Sequence, residues 1–218
     1  MKTTTDATRS ARAAPLRCGL AAGALALAAV PGLPTDAAAA TYSAPLQTAI
    51  ADLPVAAEQR DGYDRELFSD WVTTDGCTTR ELVLIEEETT GAASASDCGG
   101  PIPGEWYSVY DDVTVTDPSD LDIDHVVPLA EAWDSGAHAW TPEQRADYAT
   151  HLTDPDHLIA VTAGSNRAKA DADPAEWMPD NEDAWCDYLV TWIEIKLTWD
   201  LTVDQAEYNA ITNHATGC

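Results

Sequence analysis

An α+β fold is predicted by three features of the chain: two short strands at Leu121–Asp124 and His157–Val161, a helix start directly after the second, and helical periodicity over 181–213. Apolar residues make up 45% of the 218 residues, ordinary for a globular chain and too many for a disordered acidic tail. The length fits one domain. Eight Trp against a single Phe are expected to supply much of its core.

The first forty residues read differently. Lys2, Arg9, Arg12 and Arg17 precede an apolar run, Gly19–Val30, and small residues at Ala38 and Ala40 offer a cleavage site, so 1–40 is expected to be a signal peptide removed on export. The run is too short to span a bilayer as a stable helix, which argues against a retained anchor. Cys18 precedes the run, whereas a lipid-anchored cysteine would follow it. Cleavage would remove four bases and two acids (Asp6 and Asp36), turning a formal charge of −27 into −29 and leaving seven bases against 36 acids. Such a chain has no broad basic patch for gripping DNA or an anionic membrane. A secreted monomer without stable membrane association is expected. Four cysteines remain, Cys77, Cys98, Cys186 and Cys218, an even count that reads as two disulfides in an exported protein. Three pairings are possible, and chain proximity favours Cys77–Cys98 with Cys186–Cys218. A zinc site is disfavoured because no C-x-x-C spacing occurs.

Residues 41–62 mix Ala, Pro and polar residues, with weak helical periodicity over 45–53, and read as an N-terminal segment of modest order ahead of a domain at 63–218. Apolar residues at 63, 67, 68 and 71 predict a helix over Tyr63–Trp71, and Leu82–Ile85 reads as a strand. A Gly-, Ser- and Pro-rich loop covers 91–104, and Val113 and Val115 alternate with threonines as a second strand. Pro118-Ser-Asp turns the chain into Leu121–Asp124. Pro128 opens a helix that Gly136 ends, and Thr141-Pro-Glu-Gln144 is a capping-box start for a helix to about Leu152. Asp154-Pro-Asp156 turns into the strand at 157–161, and Ala163-Gly-Ser165 leads into Asn166–Lys169. A helix over 181–199 places Trp185, Leu189, Trp192 and Trp199 on one stripe, read as core rather than an exposed aromatic platform. The last helix starts at Thr202 and runs to about Asn213.

The chemistry concentrates in Leu121-Asp-Ile-Asp-His-Val-Val-Pro-Leu129 and, some thirty residues on, His157-Leu-Ile-Ala-Val-Thr-Ala-Gly-Ser-Asn-Arg-Ala-Lys169. Asp124-His125 sets a hard carboxylate beside an imidazole at a strand end. The carboxylate suits a divalent cation, and a neutral imidazole can take a proton from water. Strand, strand and helix would let Asp124 and Asn166 face one metal.

In this order D-H-x-x-P, H-L-I-A-V and N-R-x-K resemble the HNH endonuclease family, in the branch related to the C-terminal nuclease domain of GmrSD-type restriction enzymes. The resemblance is densest over Asp122–Trp177. It implies a ββα-metal core with added helices, hydrolysis of phosphodiester bonds to 5′-phosphate and 3′-hydroxyl ends, and a nucleic acid substrate, DNA ahead of RNA. His125 matches the general base, and Asp124 and Asn166 match the metal ligands, with Mg²⁺ expected and Mn²⁺ as a substitute. His157 stands where the family usually has Asn, leaving its role open between chemistry and bracing the loop. Lys169 matches the cation that commonly ends the motif, and at least one of Lys169 and Arg167 is expected on phosphate. Arg80 is a further substrate-contact candidate, against a structural ion pair, and Glu131 a metal-facing candidate, against a solvated acid. His138, His151 and His214 read as surface residues.

Two alternatives accompany this expectation. A non-catalytic extracellular module would keep the finger as a metal-stabilised scaffold, with Trp residues binding glycan or a protein. A serine or cysteine hydrolase is disfavoured, since G-x-S-x-G is absent and the cysteines read as paired.

Overall fold

A computed structural model describes residues 45–68 and 73–218; the expected signal peptide and the end of the expected helix 63–71 lie outside the described residues. The first helix, α1 (Leu46–Asp52), buries Ala49 and Ile50, and Val55 bridges in parallel to Val203. This segment is therefore packed into the main core rather than of modest order. Arg65–Leu67 form a single 3₁₀ turn, capped by Asp64.

After a short hairpin of β1 (Thr73–Thr74) and β2 (Cys77–Thr78), the run 82–85 lies inside a helix, α2 (Thr79–Glu86), and not in a strand. The Thr78 hydroxyl accepts from the Glu81 N–H, and the Glu81 carboxylate accepts from the Thr78 N–H at 2.7 Å. That reciprocal cap satisfies two otherwise orphaned donors and outweighs the strand preference of Val83 and Ile85.

A second hairpin joins β3 (Trp106–Ser108) to β4 (Val113–Val115). The third pairs β5 (Leu121–His125) antiparallel with β6 (Leu158–Thr162), Asp124 opposite Ile159 and His125 opposite Leu158. Between them lie α3 (Leu129–Asp134) and α4 (Pro142–Ala149), the latter with the Thr141–Gln144 capping box read from the sequence. Directly after β6 comes α5 (Ala163–Lys169), packed on both strands. The chain ends in α6 (Trp185–Thr198) and α7 (Gln205–His214). α7 is capped by Asp204 and Glu207 rather than by Thr202, because Val203 is held in backbone bonds to Pro54 and Ala56.

The result is a mixed α/β fold with three two-stranded sheets among the described residues. The β5–β6 pair separates two cores. Leu121, Ile123, Leu158 and Ala160 pack with Val83, Leu84 and the fully buried Trp106, while Val126, Val127 and Val161 join Trp133, Tyr148 and Trp192. Trp192 and Leu189 are fully buried, and Trp185 and Trp199 are half-buried. Disulfides link Cys77 to Cys98 and Cys186 to Cys218. Each contributes on the order of 3 kcal/mol by restricting the unfolded chain. No described helix is long and apolar enough to cross a membrane.

Candidate active site

Where β5 ends, a hollow of about 410 Å³ opens between the strand, the start of α3, α5 and the turn at 63–67. Asp124, His125, Asn166, Arg167, Tyr63 and Arg65 are among the residues that line it. Three stretches far apart in sequence thus meet at one place.

His125 is 8% exposed, and its Nε2 lies 2.9 Å from the Ala149 carbonyl, to which it donates in the neutral tautomer. The next imidazole, His157, bonds the preceding carbonyl, Tyr148, also through Nε2 at 2.9 Å. The C-terminal carbonyls of α4, Tyr148 and Ala149, are therefore used to orient two histidines. Burial pushes the His125 pKa down to about 4; the Ala149 carbonyl opposes this, and the charges of Arg65 and Lys169 reinforce it.

Asp124, 5% exposed, accepts from the Tyr110 hydroxyl at 2.7 Å and from the Lys169 ammonium, 2.9 Å from Oδ1 and 2.8 Å from Oδ2. Lys169 also donates to the His125 carbonyl at 2.9 Å. Burial raises the Asp124 pKa and lowers that of Lys169, and their mutual attraction offsets only part of it. Lys169 is fully buried, which corrects its expected place on phosphate: the last turn of α5 faces the sheet, so this cation points at the carboxylate beneath.

Asn166 donates through Nδ2 to Asp122 Oδ2 at 3.3 Å, so the amide oxygen is the atom left for a ligand on the other side. Arg167 has a side chain 76% exposed, with its Nε 3.9 Å from Asp122. The hard oxygens of Asp124 and Asn166 are the donor types a small divalent cation prefers.

Other candidates are placed elsewhere. Arg80 donates to the carbonyls of Pro118 and Leu121 at 2.6 and 3.0 Å, holding the turn into β5 rather than reaching the hollow. His157 is 1% exposed and does not line the hollow; its backbone carbonyl accepts from Val126, so it braces the end of α4 against the end of β5. Glu131 is buried against Lys196, turned away from the hollow. Carboxylates close enough to share an ion occur as Glu58–Glu131–Asp134 and Asp173–Asp204–Glu207, groups built around Arg60 and Lys196 that include neither Asp124 nor Asp122. His138 is exposed, whereas His151 is half-buried against His157 and Trp199, and His214 against Trp185. Tyr63, Arg65 and Tyr110 were not singled out from the sequence. Nothing local marks Tyr110, and Arg65 shows only as a cation inside an apolar-periodic stretch.

The profile of the family described as GmrSD restriction endonucleases, C-terminal domain, matches residues 102–214. The chain belongs to this family. The matched span contains β5, β6, α5 and all of His125, Asp124, Asn166, His157, Arg167 and Lys169. Membership supports nuclease activity in general. The chain is also 45% identical, over 160 residues covering 73% of it and 77% of the relative, to an uncharacterized secreted protein of Arthroderma benhamiae. No solved structure matches this chain.

Proposed function

We propose that this family member is a secreted, metal-dependent endonuclease of the HNH type, hydrolysing phosphodiester bonds in nucleic acid, DNA ahead of RNA. One observation carries the reading: β5, β6 and α5 bring His125, Asp124 and Asn166 to one hollow. In this reading the three elements are the ββα-metal core of a nuclease domain at 63–218, with 1–40 removed and 41–62 preceding it.

His125 is the general base. Its Nε2 lies on the Ala149 carbonyl, which fixes the ring, and the imidazole takes the proton of the attacking water. The water oxygen bonds to phosphorus as the bond to the 3′ oxygen breaks, and that oxygen leaves as a hydroxyl after taking a proton from solvent. Asp124 and Asn166 would hold a divalent ion, Mg²⁺ or Mn²⁺, which supplies Lewis-acid stabilisation to the phosphate and the departing oxygen. Tyr110 and Lys169 keep the Asp124 carboxylate in one orientation. Arg167, exposed on α5, meets the phosphate in place of Lys169.

The purified protein should nick supercoiled plasmid in Mg²⁺ or Mn²⁺ and stop with EDTA, and His125→Ala should lose about 10²-fold or more in rate. Cleavage by His125→Ala at the wild-type rate would show the mechanism to be wrong. A second reading, a non-catalytic metal-stabilised module, draws on Lys169, which already meets the charge of Asp124. Its signature is a melting temperature raised by divalent ions with no cutting of plasmid, single-stranded DNA or RNA.

A further inference from the structure

Seven Lys and Arg residues follow residue 40, and the structure sorts them. Lys169 and Lys196 are fully buried on carboxylates. Arg60 bridges Asp134 and Asp171. Arg80 is spent on the carbonyls of Pro118 and Leu121, and Arg145, 8% exposed, on those of Leu67 and Trp140. Two remain, Arg65 and Arg167. Both are exposed, both line the hollow that holds His125, and Arg167 has only a loose 3.9 Å approach to Asp122 while no ion pair involves Arg65 among the described residues.

Arg65 is also firmly presented. Asp64 caps its turn, Arg145 donates to the Leu67 carbonyl at 3.1 Å, and Phe68 is buried next to it. Tyr63 packs on Trp133 and Phe68 from the other side. The turn lies outside the span that the family profile matches.

We propose that Arg65 and Arg167, which both line the hollow, form a two-point clamp for the sugar–phosphate backbone, and that it is the whole direct electrostatic grip of this protein on nucleic acid. The inference rests on the nuclease reading for its substrate but makes a claim of its own, on binding. An acidic chain that ties five of its seven bases to its own carboxylates and carbonyls and leaves two at one hollow is built for weak, local capture. The number of phosphates contacted is then about two, and each contact contributes about 0.7 (single strand) to 0.9 (duplex) to the slope of log K against log[salt].

The test uses the full mature chain carrying His125→Ala, so that substrate survives, with fluorescent single-stranded and duplex oligonucleotides at fixed Mg²⁺ and varied NaCl. Two contacts predict an affinity loss of about 7- to 12-fold between 50 and 200 mM salt, and about 3-fold once one contact is removed. Arg65→Ala and Arg167→Ala should each flatten the slope by about 0.7 to 0.9, and the double variant should remove nearly all of it. Arg65→Lys should keep the slope. Gln205→Glu, which lowers net charge equally from the exposed face of α7, should leave it unchanged. An unaltered slope in Arg65→Ala, a loss matched by Gln205→Glu, or no salt-dependent binding at all would overturn the clamp. If wild type cuts while Arg65→Ala binds like its parent, the clamp fails and the nuclease reading stands. If the slope follows Arg65 but wild type cuts nothing, the clamp stands and the catalytic reading fails.

Discussion

Lys169 and Lys196 are both fully buried against carboxylates, yet one sits beneath the hollow and the other among packed helices. Lys169 meets one carboxylate, Asp124, whose neighbourhood is open on one side. Lys196 meets two, Glu131 and Glu207, bonds the Thr202 carbonyl, and is closed in by Trp192, which donates to Glu207 at 2.6 Å. One cation between two acids leaves a surplus of buried negative charge. Burial pushes Glu131 to about 8 and Glu207 to about 7, only partly opposed by Lys196, so the network tends to retain a proton near neutrality. The balanced pair beside open space is the one a cation or substrate can reach; the unbalanced pair is a structural tie between α3, α6 and α7.

The strongest way to break this contrast is Lys196→Met. It should cost about 3–5 kcal/mol, because two buried carboxylates lose their cation; denaturant midpoints measure this. Lys169→Met should cost about 3 kcal/mol without metal, with part regained in millimolar Mg²⁺ or Mn²⁺. Equal responses of the two variants to metal would erase the distinction.

Tyr110→Phe removes one hydrogen bond to a charged group and should cost about 1.5–2 kcal/mol while weakening metal binding, read by calorimetry in the His125→Ala background. The acid pair also has a pH signature. Glu131 and Glu207 have folded pKa values above the ordinary 4.5, so the stability they lend is present below that value and lost as pH rises through about 7 and 8. The melting temperature should fall between pH 6 and 8, and Glu131→Gln should flatten the fall. The smallest effect is expected at Ala170, which ends α5 at φ 52°, ψ −119°, a conformation suited to Gly. Ala170→Gly should add up to about 1 kcal/mol.

Much of the fold was legible because its signals are local. The capping box at Thr141, the strands at 121 and 157, and the helix expected over 181–199, which runs over Trp185–Thr198, depend on a few neighbouring residues. The same locality explains the errors. A helical cap at Thr78 overrode an apolar run that reads as a strand, and a backbone bridge from Pro54 to Val203 displaced the start of α7. The site was legible as a set of motif positions, and the residues that support it were not. Tyr110 belongs to the turn between β3 and β4, and the Ala149 carbonyl that orients His125 is a backbone atom with no residue preference.

The sequence by itself determined the acid–imidazole pair at 124–125, the spacing to Asn166, the surplus of acids and the supply of only seven bases after residue 40. Only the tertiary structure decided which of those bases meet solvent. Lys169 and Arg167 are two residues apart on one helix, and the packing of α5 on β5 buries the first while leaving the second exposed. Arg65 reaches the hollow because Arg145 and Phe68 hold its turn sixty residues upstream of His125. Residue type limits what chemistry is possible, and burial decides which charges remain to perform it.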